Sequence, residues 1–218
     1  MVDNPVEVSH KHQIRRGDRL FEPINHALIT ISSIAHAASL IVGGRTHKTA
    51  QPVFRTATRW PDLGFAIPLR GPLELALKNQ KPDLIEIGVL TDPKKIEEPL
   101  KNPIVAQTTG FELVLSYTMA PLFIMYFERY SVWLKAKYGQ GHNWPSVLDF
   151  ARVVRNAAAH GGIDFRNPGV RDVKWRGLTY GYKDKGRPII GTDLHIGEML
   201  ALMFDSNEAL DALKAPVL

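Results

Sequence analysis

A chain of 218 residues without cysteine can bury a core that needs no staples, and it excludes disulfides and thiolate metal centres. The net charge of +5 and the pI of about 9.4 have a local origin, because nine basic and only three acidic residues lie between Arg152 and Arg187. Such a field suits a polyanion or an anionic substrate; a solvated basic surface explains it equally well.

Residues 1–17 are polar and charged with no apolar h-region, and they read as a mobile arm without a secretory signal. With no cysteine as well, a cytoplasmic location is expected. His10 and His12 on this arm read as solvated rather than as metal ligands. A helix is expected over Asp18–Val42, where Leu20, Ile24, Ala27, Ile31, Ile34 and Ala38 recur at helical spacing and Gly43-Gly44 stops the run. His26 and His36 within it read as helix histidines rather than ligands. Residues 45–107 carry eight prolines and no long periodic segment, and read as an irregular insertion. Within it, Pro72–Lys78 suits a short helix, Leu84–Leu90 a strand and Asp92–Glu98 a helical turn or two. Pro82-Asp83 followed by Glu86 resembles the carboxylate pattern of restriction-type nucleases, but Gly88 stands where the pattern needs a lysine.

The next helix starts at Thr108 or Thr109, with Glu112 placed for a capping box, and runs to Tyr138 before Gly139. Pro121 is expected to kink or divide it. Leu113–Phe127 within it and Ala27–Val42 are the most apolar stretches, but both fall short of the roughly 20 residues a spanning helix needs and read as buried core. A third helix runs from Ser146 to His160 and ends at Gly161-Gly162. Residues 167–190 turn to a β pattern. Val170–Trp175 suits one strand, while Leu178–Tyr182 and Arg187–Ile190 suit a hairpin around Lys183-Asp184-Lys185-Gly186. There Trp175, Tyr180 and Tyr182 interleave with Lys174, Arg176, Lys183 and Arg187, a mixture that can stack and grip single-stranded nucleic acid; aromatic packing of a hairpin explains the same residues. Gly191-Thr192-Asp193 caps a last helix through Phe204, extended by a short turn to residue 213, with His195 exposed in its first turn.

The stretch Ser146–Gly162 carries the chemistry. On a helical wheel at about 100° per residue, Arg155, Arg152, Asn156, Asp149 and His160 gather on one side and Val147, Phe150, Ala151, Val153, Val154, Ala157 and Ala158 on the other. Asn156 and His160 are neighbours one turn apart. Arg155 and His160 are about 140° apart on a regular helix, so they meet one ligand only because arginine is long, because the helix ends there, or because a partner supplies the missing half of the site. Arginine can hold a phosphate bidentately and stabilise added negative charge, and histidine can move protons near neutral pH. An RNA 2′-hydroxyl is an internal nucleophile, so these two groups suffice in principle for cleavage without metal. Asn156, Arg152 and Asp149 would support them. The plain structural alternative has Arg155 paired with Asp149 or a neighbour and His160 merely ending the helix.

Arg155-Asn156-Ala157-Ala158-Ala159-His160 resembles the Arg-polar-x(3–5)-His signature of the HEPN superfamily (higher eukaryotes and prokaryotes nucleotide-binding domain), and Val147–Phe204 resembles a plasmid-borne HEPN subgroup. The resemblance implies a mainly α fold: a helical bundle spanning residues 18–218 as one domain, with 45–107 as an irregular Pro-rich insertion, a small C-terminal β-hairpin within 167–190 and a closing helix within 191–213. It implies a homodimer across the motif helix and a metal-independent endoribonuclease of toxin or phage-defence type, with Arg155 and His160 catalytic. Lys174, Arg176, Lys183 and Arg187 would bind RNA, and an antitoxin protein is a further expected partner. No cofactor and no membrane are implied. Other members of the superfamily are non-catalytic modules that bind RNA, a nucleotide or an antitoxin.

Overall fold

The computed structural model describes residues 9–43, 53–68, 70–92, 109–165 and 168–217. The chain divides into two compact units, Met1–Leu115 and Ser116–Leu218.

The first unit corrects the expected mainly α fold. It holds β1 (His10–Arg15), α1 (Phe21–Gly43), β2 (Val53–Ala57), β3 (Gly64–Pro68), α2 (Arg70–Leu77) and β4 (Leu84–Leu90). The strands form one antiparallel sheet in the order β1-β4-β3-β2, so the protein is mixed α and β and not a helical bundle. One face of β1 reaches the interior only at Ile14, which lies opposite Ile85. Its other residues are polar, as suits a strand that caps a sheet edge. Lys11 and Gln13 reach across to Glu86, at 2.9 Å and 3.3 Å. The hydrogen bond from Lys11, with that from Gln13 second, holds the Glu86 carboxyl below the usual carboxylate range. Its support for the folded pairing is therefore full above the ordinary carboxylate pKa and is lost as pH falls through the lowered one.

The region read as an irregular insertion supplies three strands of this sheet. β2 and β3 pair from Val53↔Pro68 to Ala57↔Gly64. The turn between them is closed by Thr58, whose Oγ1 donates to the Leu63 carbonyl at 2.7 Å. Phe65, Ile67, Ile85, Ile87 and Val89 are buried, as are Leu20, Phe21, Ile24, Ala27, Leu28 and Ile31 at the spacing expected for α1. The β4 strand and the short helix α2 fall where they were expected. Asp92–Glu98 lies, from residue 93 on, outside the described residues, as do Gly44 and Thr108.

The second unit contains most of α3 (Thr109–Tyr138), then α4 (Ser146–His160), β5 (Val173–Trp175), β6 (Leu178–Tyr180) and α5 (Ile196–Ala212). α3 runs as one helix through Pro121, so of the kink or division expected there the division does not occur. Met119, Phe123, Tyr126, Phe127, Tyr130 and Leu134 are buried at helical spacing along it. α4 buries Phe150, Ala151, Val153, Val154 and Ala157 of its expected apolar side, with Val147 and Ala158 half-buried, and it also buries Leu148 and Asp149. The Phe150 ring stacks on Tyr180 (centroids 5.1 Å apart) and tilts against Trp175 (5.4 Å), which fixes the two-stranded ribbon β5-β6 to the motif helix.

The ribbon's turn is not the expected one. β5 and β6 pair through Trp175↔Leu178, and the chain reverses at Arg176-Gly177, both at positive φ (42° and 82°). That is the backbone a two-residue hairpin turn requires. Tyr182–Asp184 is instead a 310 turn. The last helix begins after His195, whose N–H donates to Glu198 Oε2 at 3.0 Å, and it continues to Ala212. Among the described residues no helix is long and apolar enough to cross a membrane.

Candidate functional site

The polar residues of α4 form two separate pairs. The first is a brace. Asp149 is 1% exposed, and its Oδ1 accepts from Arg152 Nε at 2.9 Å and Nη2 at 2.8 Å. An acid this deeply buried needs such a charged partner. The Arg152 guanidinium also lies against Gly141, where a side chain would collide with it. Asp149 and Arg152 thus tie the 310 turn Gly141–Asn143 to the first half of α4.

The second pair lies one turn further along. Arg155 Nη1 donates to Asn156 Oδ1 at 2.9 Å, and Nη2 forms an ion pair with Glu128 Oε1 from α3. The guanidinium is thereby held between an amide and a carboxylate, with about a quarter of its side chain exposed (27%). His160 stands on the last turn of α4, exposed, four residues after Asn156. Gly161, at φ 79°, ends the helix in the left-handed conformation. No hydrogen bond or ion pair joins His160 to Arg155, as expected from their angular separation.

The four basic residues expected to meet RNA divide as well. Arg176 makes a bidentate pair with Asp205 of α5, at 2.7 Å and 3.0 Å, and Trp175 Nε1 donates to the same carboxylate at 2.8 Å. Arg187 pairs with Asp193 at 2.8 Å and Asp184 at 3.5 Å and lies over the Tyr180 ring. These two arginines staple the ribbon and the turn after it. Lys174 and Lys183 are exposed. Of the three aromatic residues, Trp175 and Tyr180 are buried at 6% and 1% exposure, so their rings serve packing, while Tyr182 is 40% exposed.

Two residues absent from the expected site are acidic. Glu128 is one of two carboxylates in α3 and sits beside Arg129 within the mostly apolar run Leu122–Leu134, so the sequence marks it only as an acid in apolar surroundings. Asp205 had no comparable signal, because the partner that gives it meaning lies across a tertiary contact. Asp83 and Glu86, the carboxylates of the restriction-like pattern, are salt-bridged to Arg16 and Lys11. Among the described residues no group of three or more His, Asp or Glu side chains is arranged to hold a metal ion. An open cleft of the first unit is lined by Arg16, Glu22, Asn79, Lys81 and Asp83. Its charges are matched, Lys81 to Glu22 at 2.7 Å and Arg16 to Asp83 at 3.3 Å.

No family model, curated protein or solved structure matches this chain.

Proposed function

We propose that the Arg155-Asn156-His160 face of α4 is half of a metal-independent endoribonuclease site, completed by a second copy of the chain. The reading is supported above all by the combination of a guanidinium oriented between Glu128 and Asn156 with an exposed imidazole one turn beyond. In the proposed reaction a 2′-hydroxyl loses its proton to one His160, its oxygen bonds to the adjacent phosphorus, and the bond from phosphorus to the 5′-oxygen breaks. The leaving oxygen takes a proton from the other copy's His160. Arg155 stabilises the charge that builds on the phosphoryl oxygens. The products are a 2′,3′-cyclic phosphate and a 5′-hydroxyl. A toxin or phage-defence setting in the cytoplasm, with an antitoxin as protein partner, follows from the HEPN resemblance.

A second reading is a binding module that holds RNA, a nucleotide or an antitoxin without cutting. It is favoured by the Glu128 ion pair, which already neutralises part of the Arg155 charge. The two readings separate when purified protein is incubated with single-stranded RNA in EDTA and the products are resolved. Cleavage with cyclic phosphate ends supports the enzyme, and tight binding with intact RNA sinks it in favour of the module. On either reading Glu128→Gln frees Arg155 from its competing carboxylate. RNA binding at low salt is expected to tighten several-fold, with a steeper salt dependence, and a filter-binding titration checks it. Because this pair is part-exposed, the thermal midpoint should move only slightly.

A further inference from the structure

The 310 turn after the ribbon has a feature that the motif does not use. Tyr182 is 40% exposed, and the Lys185 ammonium lies 5.8 Å from its ring centroid. Lys183 beside it is exposed. The turn's single acid is turned to structural work: Asp184 Oδ2 accepts from Gly181 N–H at 2.9 Å, and Oδ1 faces Arg187. The outward face of the turn is therefore one aromatic ring and two lysines. Trp175 and Tyr180, the other aromatics among these basic residues, are buried and have no face to offer.

This turn is pinned beside the end of the motif helix. Gly186 N–H donates to the Ile163 carbonyl at 2.8 Å, and Ile163 N–H donates to the Arg187 carbonyl at 3.0 Å. A Cβ on Gly162 would sit 2.6 Å from the Gly186 carbonyl oxygen, so the two segments touch backbone to backbone. Gly162 is two residues past His160, at most about 7.6 Å between Cα atoms.

We infer that Tyr182, Lys183 and Lys185 form a subsite for single-stranded RNA next to His160, in which the Tyr182 ring stacks an unpaired base and the lysines hold the flanking phosphates. This rests on RNA being the substrate class of the proposed site. The chemistry is specific to strand state, because an aromatic ring can take the face of an unpaired base, whereas a duplex keeps its base faces stacked on each other.

The test uses the full chain carrying His160→Ala, so that RNA stays intact, and a single-stranded oligoribonucleotide containing 2-aminopurine. With Tyr182 present, binding quenches the 2-aminopurine emission, and Tyr182→Phe keeps the quench. Tyr182→Ala abolishes the quench and weakens single-strand affinity about 10-fold, while leaving weak duplex binding unchanged. Equal single-strand affinity with and without the ring overturns the subsite, as does equal loss on duplex and single strand, or no single-strand binding at all. The ribonuclease reading is scored separately, by cleavage with His160 restored. Ring-dependent binding without cleavage refutes the enzyme and leaves the subsite standing.

Discussion

Replacing His160 by Ala is expected to lower EDTA-resistant cleavage of single-stranded RNA by about 10²- to 10⁴-fold, the usual contribution of a positioned acid or base. The side chain is exposed on the last turn of α4. Its loss should leave the thermal midpoint within about 2 °C of the parent, so lost activity is not lost fold. Arg155→Ala should cost about 10²- to 10³-fold, and Arg155→Lys should restore little, because an ammonium cannot reproduce the forked hold on a phosphate. Circular dichroism controls for folding in the arginine variants, since Arg155 also braces Glu128. Specific activity should fall on dilution if two copies build the site. A product profile unchanged in both alanine variants would show that the cleavage belongs to other residues or to a contaminant.

The largest effect on stability is expected at Phe150, not within the polar cluster. Its side chain, on the motif helix, is fully buried, stacked on Tyr180 and tilted against Trp175. Phe150→Ala removes that filling, at a cost of about 3–5 kcal/mol. For a unit of this size the midpoint should drop by roughly 10 °C or more. Differential scanning calorimetry measures it directly, and a shift of a degree or two would mean that the ribbon does not depend on this ring for its place. Because the turn bearing Tyr182 follows the ribbon without a break, single-strand binding should weaken in the same variant well below its melting temperature.

The helices were legible because their periodicity is written locally. Leu20, Ile24, Ala27 and Ile31 repeat along α1, and α4 has a polar and an apolar side that a wheel separates. β4 was legible from the partial alternation of Leu84–Leu90. The rest of the sheet was not, for three physical reasons. β1 has one deeply buried residue in six, so it carries no apolar alternation and looks like a tail. β3 buries four of its five residues, so it has no alternation either. β2 and β3 are also bounded by prolines that read as loop markers. What makes these segments strands is their pairing with each other and with β4, and β1 finds its partner 69 to 79 residues away. The site shows the same division. Arg155, Asn156 and His160 were visible as a motif, whereas the acids that orient or neutralise its basic residues, Glu128 and Asp205, acquire meaning only from contacts made across the fold.

The pairing of His10–Arg15 with β4 bears on how the protein can be handled. A shortened version starting at Asp18 would look harmless from the sequence, since it removes only a polar tail. It would instead strip the cover from Leu84–Leu90, leaving the backbone donors and acceptors of an Ile- and Val-rich strand open to neighbouring chains. Such a version should form large assemblies in light scattering at concentrations where the parent does not. Bulky fusions placed directly against residue 10 should do the same, whereas a spacer ahead of the strand should spare it.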